Sequence, residues 1–107
     1  MGMINVEEVM GRVMNNKKLF LRLLGSFKGR KMAEDIKTAV ENGNFEEIKK
    51  AAHALRGVSL NLGMNALADI AANIENKAAN QENAADDLPA LFDCIDELEK
   101  EIATLTA

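Results

Sequence analysis

Apolar residues recur at spacings of three and four along nearly the whole chain, and the interruptions fall at clusters of Gly and Asn. Such a pattern belongs to amphipathic helices joined by short turns, and it predicts roughly five or six of them. Val6, Val9, Met10 and Val13 form one stripe over residues 5–14, a helix short enough to serve as a lid. A second helix starts near Asn16 with Leu19, Phe20, Leu23, Leu24 and Phe27 as a broad apolar face, and Gly29 is expected to loosen the chain behind it. The next begins near Arg30 on Met32, Ile36, Ala39 and Val40. Asn42, Gly43 and Asn44 end it, because these residue types tolerate left-handed backbone. A long helix spans residues 45–61, with Gly63 as its C-terminal cap. Leu67, Ile70, Ala71, Ile74 and Ala78 mark another, which fades in the polar stretch 80–83. The last starts at Asp86 or Asp87, whose side chains are expected to cap it, and it accommodates Pro89 in its first turn. Leu88, Leu91, Ile95, Leu98, Ile102 and Leu105 then run at helical spacing. Helices of this length with connections this short predict an all-α fold, an antiparallel up-down four-helix bundle with one or two short additional N-terminal helices.

Composition narrows the class. With 107 residues, 48% of them apolar and 28% charged, the chain suits one globular domain over residues 1–107, with no internal repeat or linker. Every Met and Phe on these stripes reads as core. A formal charge of −4, with Lys and Arg scattered among acids, provides no field for nucleic acid. Cys94 stands alone, so no internal disulfide forms, and it reads as a small buried residue of a protein in a reducing compartment. No segment approaches the roughly 20 apolar residues that span a bilayer, and the N-terminus lacks the pattern of a signal peptide. A soluble, cytoplasmic monomer without membrane contact is expected.

Chemistry concentrates on the helix of residues 45–61. With His53 at zero on a wheel of about 100° per residue, Ile48, Ala52, Leu55, Ser59 and Leu62 gather on the opposite side. His53 therefore points away from the core, and Glu46, Lys49, Lys50, Arg56, Gly57 and Leu60 share its surface. Gly57 is the odd residue, because a glycine in mid-helix costs about 1 kcal/mol against alanine. Space explains it: with no Cβ one turn beyond His53, a bulky group on the imidazole and the loop that delivers it can come close. Arg56 can hold a phosphoryl oxygen through a charge-assisted hydrogen bond, and Lys49 and Lys50 add positive potential. Histidine suits a carrier because much of it is neutral and nucleophilic near neutral pH, and a phosphoramidate stays reactive enough to pass on. Each feature alone has a plainer explanation, a solvated histidine, a wet helix face or a close-packing glycine. It is their combination that singles out the site.

The segment His53-Ala-Leu-Arg-Gly-Val-Ser-Leu-Asn-Leu-Gly63 closely resembles the signature of histidine phosphotransfer domains, His-x-Leu-Lys/Arg-Gly-x-Ser-x-x-Leu-Gly. The resemblance extends to residues 14–27, which are similar to the family's opening helices, to the turn at 42–44 and to residues 67–75. It implies that His53 is the phosphoacceptor, that Arg56 helps hold the phosphoryl group and that Gly57 makes room for it. It also implies that Glu75, on the neighbouring helix, bonds the imidazole nitrogen that is not phosphorylated. A carboxylate accepting from Nδ1–H would leave Nε2 free to attack. Leu60 departs from the small residue common at its position and, as an exposed apolar residue, reads with Lys49 and Lys50 as a partner-docking contact.

The expected role is that of a phosphorelay intermediate, which takes a phosphoryl group from a receiver-domain phosphoaspartate and passes it reversibly to another receiver. No cofactor is expected on the chain itself, which lacks a glycine-rich phosphate loop, and Mg²⁺ belongs to the partner receiver. The chain is thus expected to be a carrier without kinase activity of its own. Two other settings stay open: a phosphorylated module of a hybrid or chemotaxis-type histidine kinase, and a non-catalytic helical scaffold protein. A metal-binding bundle carries little weight, because Lys50 stands where such a site would place a Glu three residues before the histidine.

Overall fold

Three helices are capped at their start by an asparagine side chain. The side chains of Asn5, Asn16 and Asn44 each accept a hydrogen bond of 3.1 Å from the backbone N–H three residues on, satisfying donors that a helix start leaves open. The computed structural model describes residues 2–107 and contains no strand among them. Its helices are α1 (Val6–Arg12), α2 (Lys17–Gly25), α3 (Gly29–Glu41), α4 (Phe45–Asn61), α5 (Asn65–Ala79) and α6 (Leu88–Thr106), the last entered through a short 3₁₀ turn at Ala85–Asp87. Gly43 and Gly63, at φ +65° and +67°, turn the chain into and out of α4 in a conformation that costs glycine least.

The helices pack as a bundle in which α4 lies against α3 and α5, and α6 against α2, α3 and α5. The stripe of α4 that faces the core is Ile48, Ala52, Leu55 and Ser59, all buried. Ser59 is the one polar residue in the buried set among the described residues, and its hydroxyl donates to the Leu55 carbonyl at 2.7 Å, so it is not left stranded. Leu67, Ala71 and Ile74 of α5, Leu91, Ile95 and Leu98 of α6 and Ile36 of α3 complete the same core. Cys94 belongs to it, and burial pushes its thiol pKa up. No helix among the described residues is long and apolar enough to cross a membrane.

The N-terminal segment is fastened to the far end of α4. The Asn5 N–H donates to the Gly63 carbonyl at 2.8 Å, and Arg12 Nη1 donates to the Leu60 and Asn61 carbonyls at 2.8 and 3.0 Å. These carbonyls lie in the last turn of α4 and just beyond it, where a helix runs out of its own donors and cations are favoured. The Met3 and Ile4 N–H groups donate to the two carboxylate oxygens of Glu101 on α6, both at 2.9 Å.

Three local expectations are corrected. Met14, read as core with the other methionines, is 89% exposed just past α1. Gly29 does not loosen the chain; it is the buried first residue of α3, where a Cβ would collide with the Phe27 ring and approach Ile95 to 2.9 Å. Neither Asp86 nor Asp87 caps α6 with its side chain. Asp87 instead accepts from Asn73 Nδ2 at 2.9 Å and pairs with Lys77 Nζ at 2.8 Å, which draws it onto α5 and raises the Lys77 pKa.

Candidate functional site

Helix α4 has its own reasons to be well anchored. Asn44 caps it, Glu46 and Glu47 sit in its first turn where the helix dipole favours anions, and its inner stripe is locked in the core. A residue at the middle of its outer face is therefore held at a fixed height and azimuth. His53 occupies that position with 64% of its side chain exposed, next to a fully buried Ala52.

Glu75 reaches the histidine from α5. Its Oε2 lies 2.9 Å from His53 Nδ1, and its side chain is only 15% exposed. Arg56, one turn after His53, places Nη2 at 3.2 Å from the same Nδ1 and Nε at 3.5 Å from Glu75 Oε1. These two contacts make opposite demands. A guanidinium only donates and needs a lone pair on Nδ1, whereas an ionised carboxylate only accepts and needs Nδ1–H. A lone pair on Nδ1 would face the carboxylate lone pairs at 2.9 Å, so the proton belongs on Nδ1, and Arg56 serves chiefly as a counter-charge to Glu75. Nε2 is left with its in-plane lone pair.

Gly57 has open space where a Cβ would stand, with no atom within 4 Å. Close packing thus gives no reason for the glycine. Leu60 lies one turn further along α4 and is 47% exposed, one of few large apolar side chains that face outward. On the other side of the histidine, Glu46, Lys49, Lys50, His53 and Glu75 line an open depression of about 310 Å³. Every residue singled out by the sequence therefore falls on one surface, with His53, Arg56 and Glu75 in mutual contact and Lys49, Lys50, Gly57 and Leu60 around them.

Glu46, which the sequence places on the same surface as His53, shares the depression. The contact between Arg56 and Glu75 escaped the sequence reading, because it joins two helices and no local pattern announces it. Among the described residues no group of three or more His, Cys, Asp or Glu is arranged to hold a metal ion.

Comparison with known proteins adds one finding. A family model described as Hpt domain matches residues 28–107, which leaves α1 and α2 outside the matched region. No curated protein and no solved structure matches the chain.

Proposed function

The chain belongs to the Hpt domain family, and from that membership we propose that it is a phosphorelay intermediate whose phosphoacceptor is His53. The family stands for histidine phosphotransfer in two-component phosphorelays, with receiver domains and histidine kinases as partners, and its members are carriers. For this chain we infer transfer in both directions between His53 and the phosphoaspartates of two receivers, with residues 1–107 acting as one domain.

In the forward step the Nε2 lone pair forms a bond to phosphorus while the aspartyl oxygen–phosphorus bond breaks, and the receiver keeps its carboxylate. The ring becomes positively charged, with its proton still on Nδ1. Glu75, accepting from that N–H, stabilises the charge as it develops. Arg56 keeps Glu75 in place, and Gly57 leaves room for the incoming active-site loop. The receiver supplies the Mg²⁺ that neutralises the phosphoryl oxygens. Return of the phosphoryl group is the same step reversed.

The observation that carries this reading is the histidine's double condition: Nδ1 is engaged by Glu75 at 2.9 Å while the side chain as a whole stays 64% exposed. A merely solvated histidine would have no carboxylate of 15% exposure on one of its nitrogens. The test is to mix the protein with a panel of phosphorylated receiver domains. Label should move to the protein as an acid-labile, base-stable adduct that His53→Gln abolishes. No transfer from any receiver, or transfer that survives His53→Gln, rejects the assignment.

A further inference from the structure

We infer that Asp87 is a positioning residue for the site: from the turn before α6 it grips the back of α5 and so holds Glu75 against His53. The inference rests on the phosphoacceptor reading above and adds to it a residue that touches neither the histidine nor its phosphoryl group.

Glu75 keeps Oε2 at 2.9 Å from His53 Nδ1 only while α5 holds its rotation and height beside α4. Core packing does little of this where Glu75 sits. Helix α5 buries Leu67, Ala68, Ala71 and Ile74 before that point, but from Glu75 to the end of the helix only Ala78 enters the core. The helix end is also poorly closed. The Glu82 N–H donates to the Lys77 carbonyl at 2.7 Å across a turn in which Gln81 takes the left-handed position, φ +57°, that suits glycine. A helix end with one alanine in the core and a strained cap opens easily.

Asp87 supplies the missing hold. On a wheel of about 100° per residue, Asn73 and Lys77 each stand about 160° from Glu75, on the face of α5 turned away from it. They lie one turn apart and close on the same carboxylate: Asn73 Nδ2 donates to Oδ1 at 2.9 Å, and Lys77 Nζ lies 2.8 Å from Oδ2. Contacts one turn apart fix both the rotation and the slide of a helix, which a single contact leaves free. The carboxylate is itself anchored. The Asp87 N–H donates to the carbonyl of the fully buried Ala84 at 3.0 Å, and α6 runs on from Asp87 into the core through Leu91 and Ile95. Asp87 Oδ2 is shut off from water, and the side chain is only 19% exposed. A charge pair withdrawn from water adds little net stability, whereas it penalises every register of the two helices in which the charges part. The register it selects here is the one that puts Glu75 on the ring.

The readout is the proton on the ring, which a merely stabilising residue would not move. Nitrogen NMR at alkaline pH, with the ring neutral, distinguishes the nitrogen that carries the proton from the one that does not. Wild type is compared with Asp87→Ala, Lys77→Met, Glu75→Ala and Leu24→Ala. The last removes a buried side chain near Ile102, at the other end of α6, and so lowers stability away from the clamp. Wild type should be mostly Nδ1–H, and Glu75→Ala should lower the ratio of Nδ1–H to Nε2–H by about 10-fold. Asp87→Ala should lower it by about 3-fold, and Lys77→Met, which keeps the stem and drops the charge, by about 2-fold. Leu24→Ala should leave it unchanged in the folded protein. A wild-type ratio in Asp87→Ala overturns the assignment, as does an equal fall in Leu24→Ala or a wild-type ring without Nδ1–H. Where Asp87→Ala does not fold, Lys77→Met decides in the same way. Phosphoramidate tests the phosphoacceptor reading separately, since it gives its phosphoryl group directly to an imidazole: Nε2 bonds to phosphorus, the phosphorus–nitrogen bond of the reagent breaks, and ammonia leaves. If wild type takes no label while free imidazole does, that reading fails, whatever the tautomer ratios show.

Discussion

Gly57 and Gly63 lie on one stretch of chain, six positions apart in the same signature, yet the molecule treats them as opposites. At Gly63 the backbone is left-handed at φ +67°, and a Cβ would come within 2.8 Å of both the Asn5 carbonyl oxygen and Val9 Cγ2. At Gly57 the backbone is ordinary helix and a Cβ would meet nothing within 4 Å. Folding demands the first glycine and is worse off for the second. A residue that lowers helix stability without serving packing or backbone geometry has its explanation outside the isolated chain, in whatever approaches that surface.

The largest effect should come from Gly63→Ala. Left-handed strain and the collision with α1 together cost about 2–4 kcal/mol, read as a lower midpoint in urea denaturation. The folded fraction should still accept label, since His53, Arg56 and Glu75 are untouched. Gly57→Ala should go the other way, raising stability by about 1 kcal/mol while slowing transfer from a phosphorylated receiver. If alanine at 57 destabilises the protein, or leaves transfer at the wild-type rate, the contrast between the two glycines collapses. Arg12→Ala sharpens the comparison at its structural end. Losing the guanidinium from the Leu60 and Asn61 carbonyls should cost about 0.5–1 kcal/mol, with loading of His53 by phosphoramidate unchanged.

The same contrast explains what could be read in advance. Helix α4 was legible to its ends because every signal there is local: Asn44 and Gly43 before it, Gly63 after it, and an apolar stripe between. The outward aim of His53 followed from the same periodicity. Gly29 was misjudged because a glycine looks alike whether the chain needs freedom or a neighbour needs room, and the neighbours are the Phe27 ring, folded back onto it, and Ile95, far along the sequence. Asp87 looked like a cap because it precedes a helix, but Lys77 and Asn73 compete for its carboxylate across the bundle. The approach of Glu75 to His53 came from family resemblance and from no periodicity. The Arg12 contact with α4 was missed altogether, since it joins residues 48 and 49 positions apart.

That contact gives α1 a thermodynamic character of its own. With 7 residues, α1 is too short to hold its helix alone in water. It exists as a helix only while Gly63, the carbonyls of Leu60 and Asn61, and Glu101 keep hold of it. Its amides should therefore exchange with deuterium through a local opening that leaves the α4–α5 core closed. The exchange rate of α1 becomes a built-in gauge of the far end of α4, readable without touching the histidine.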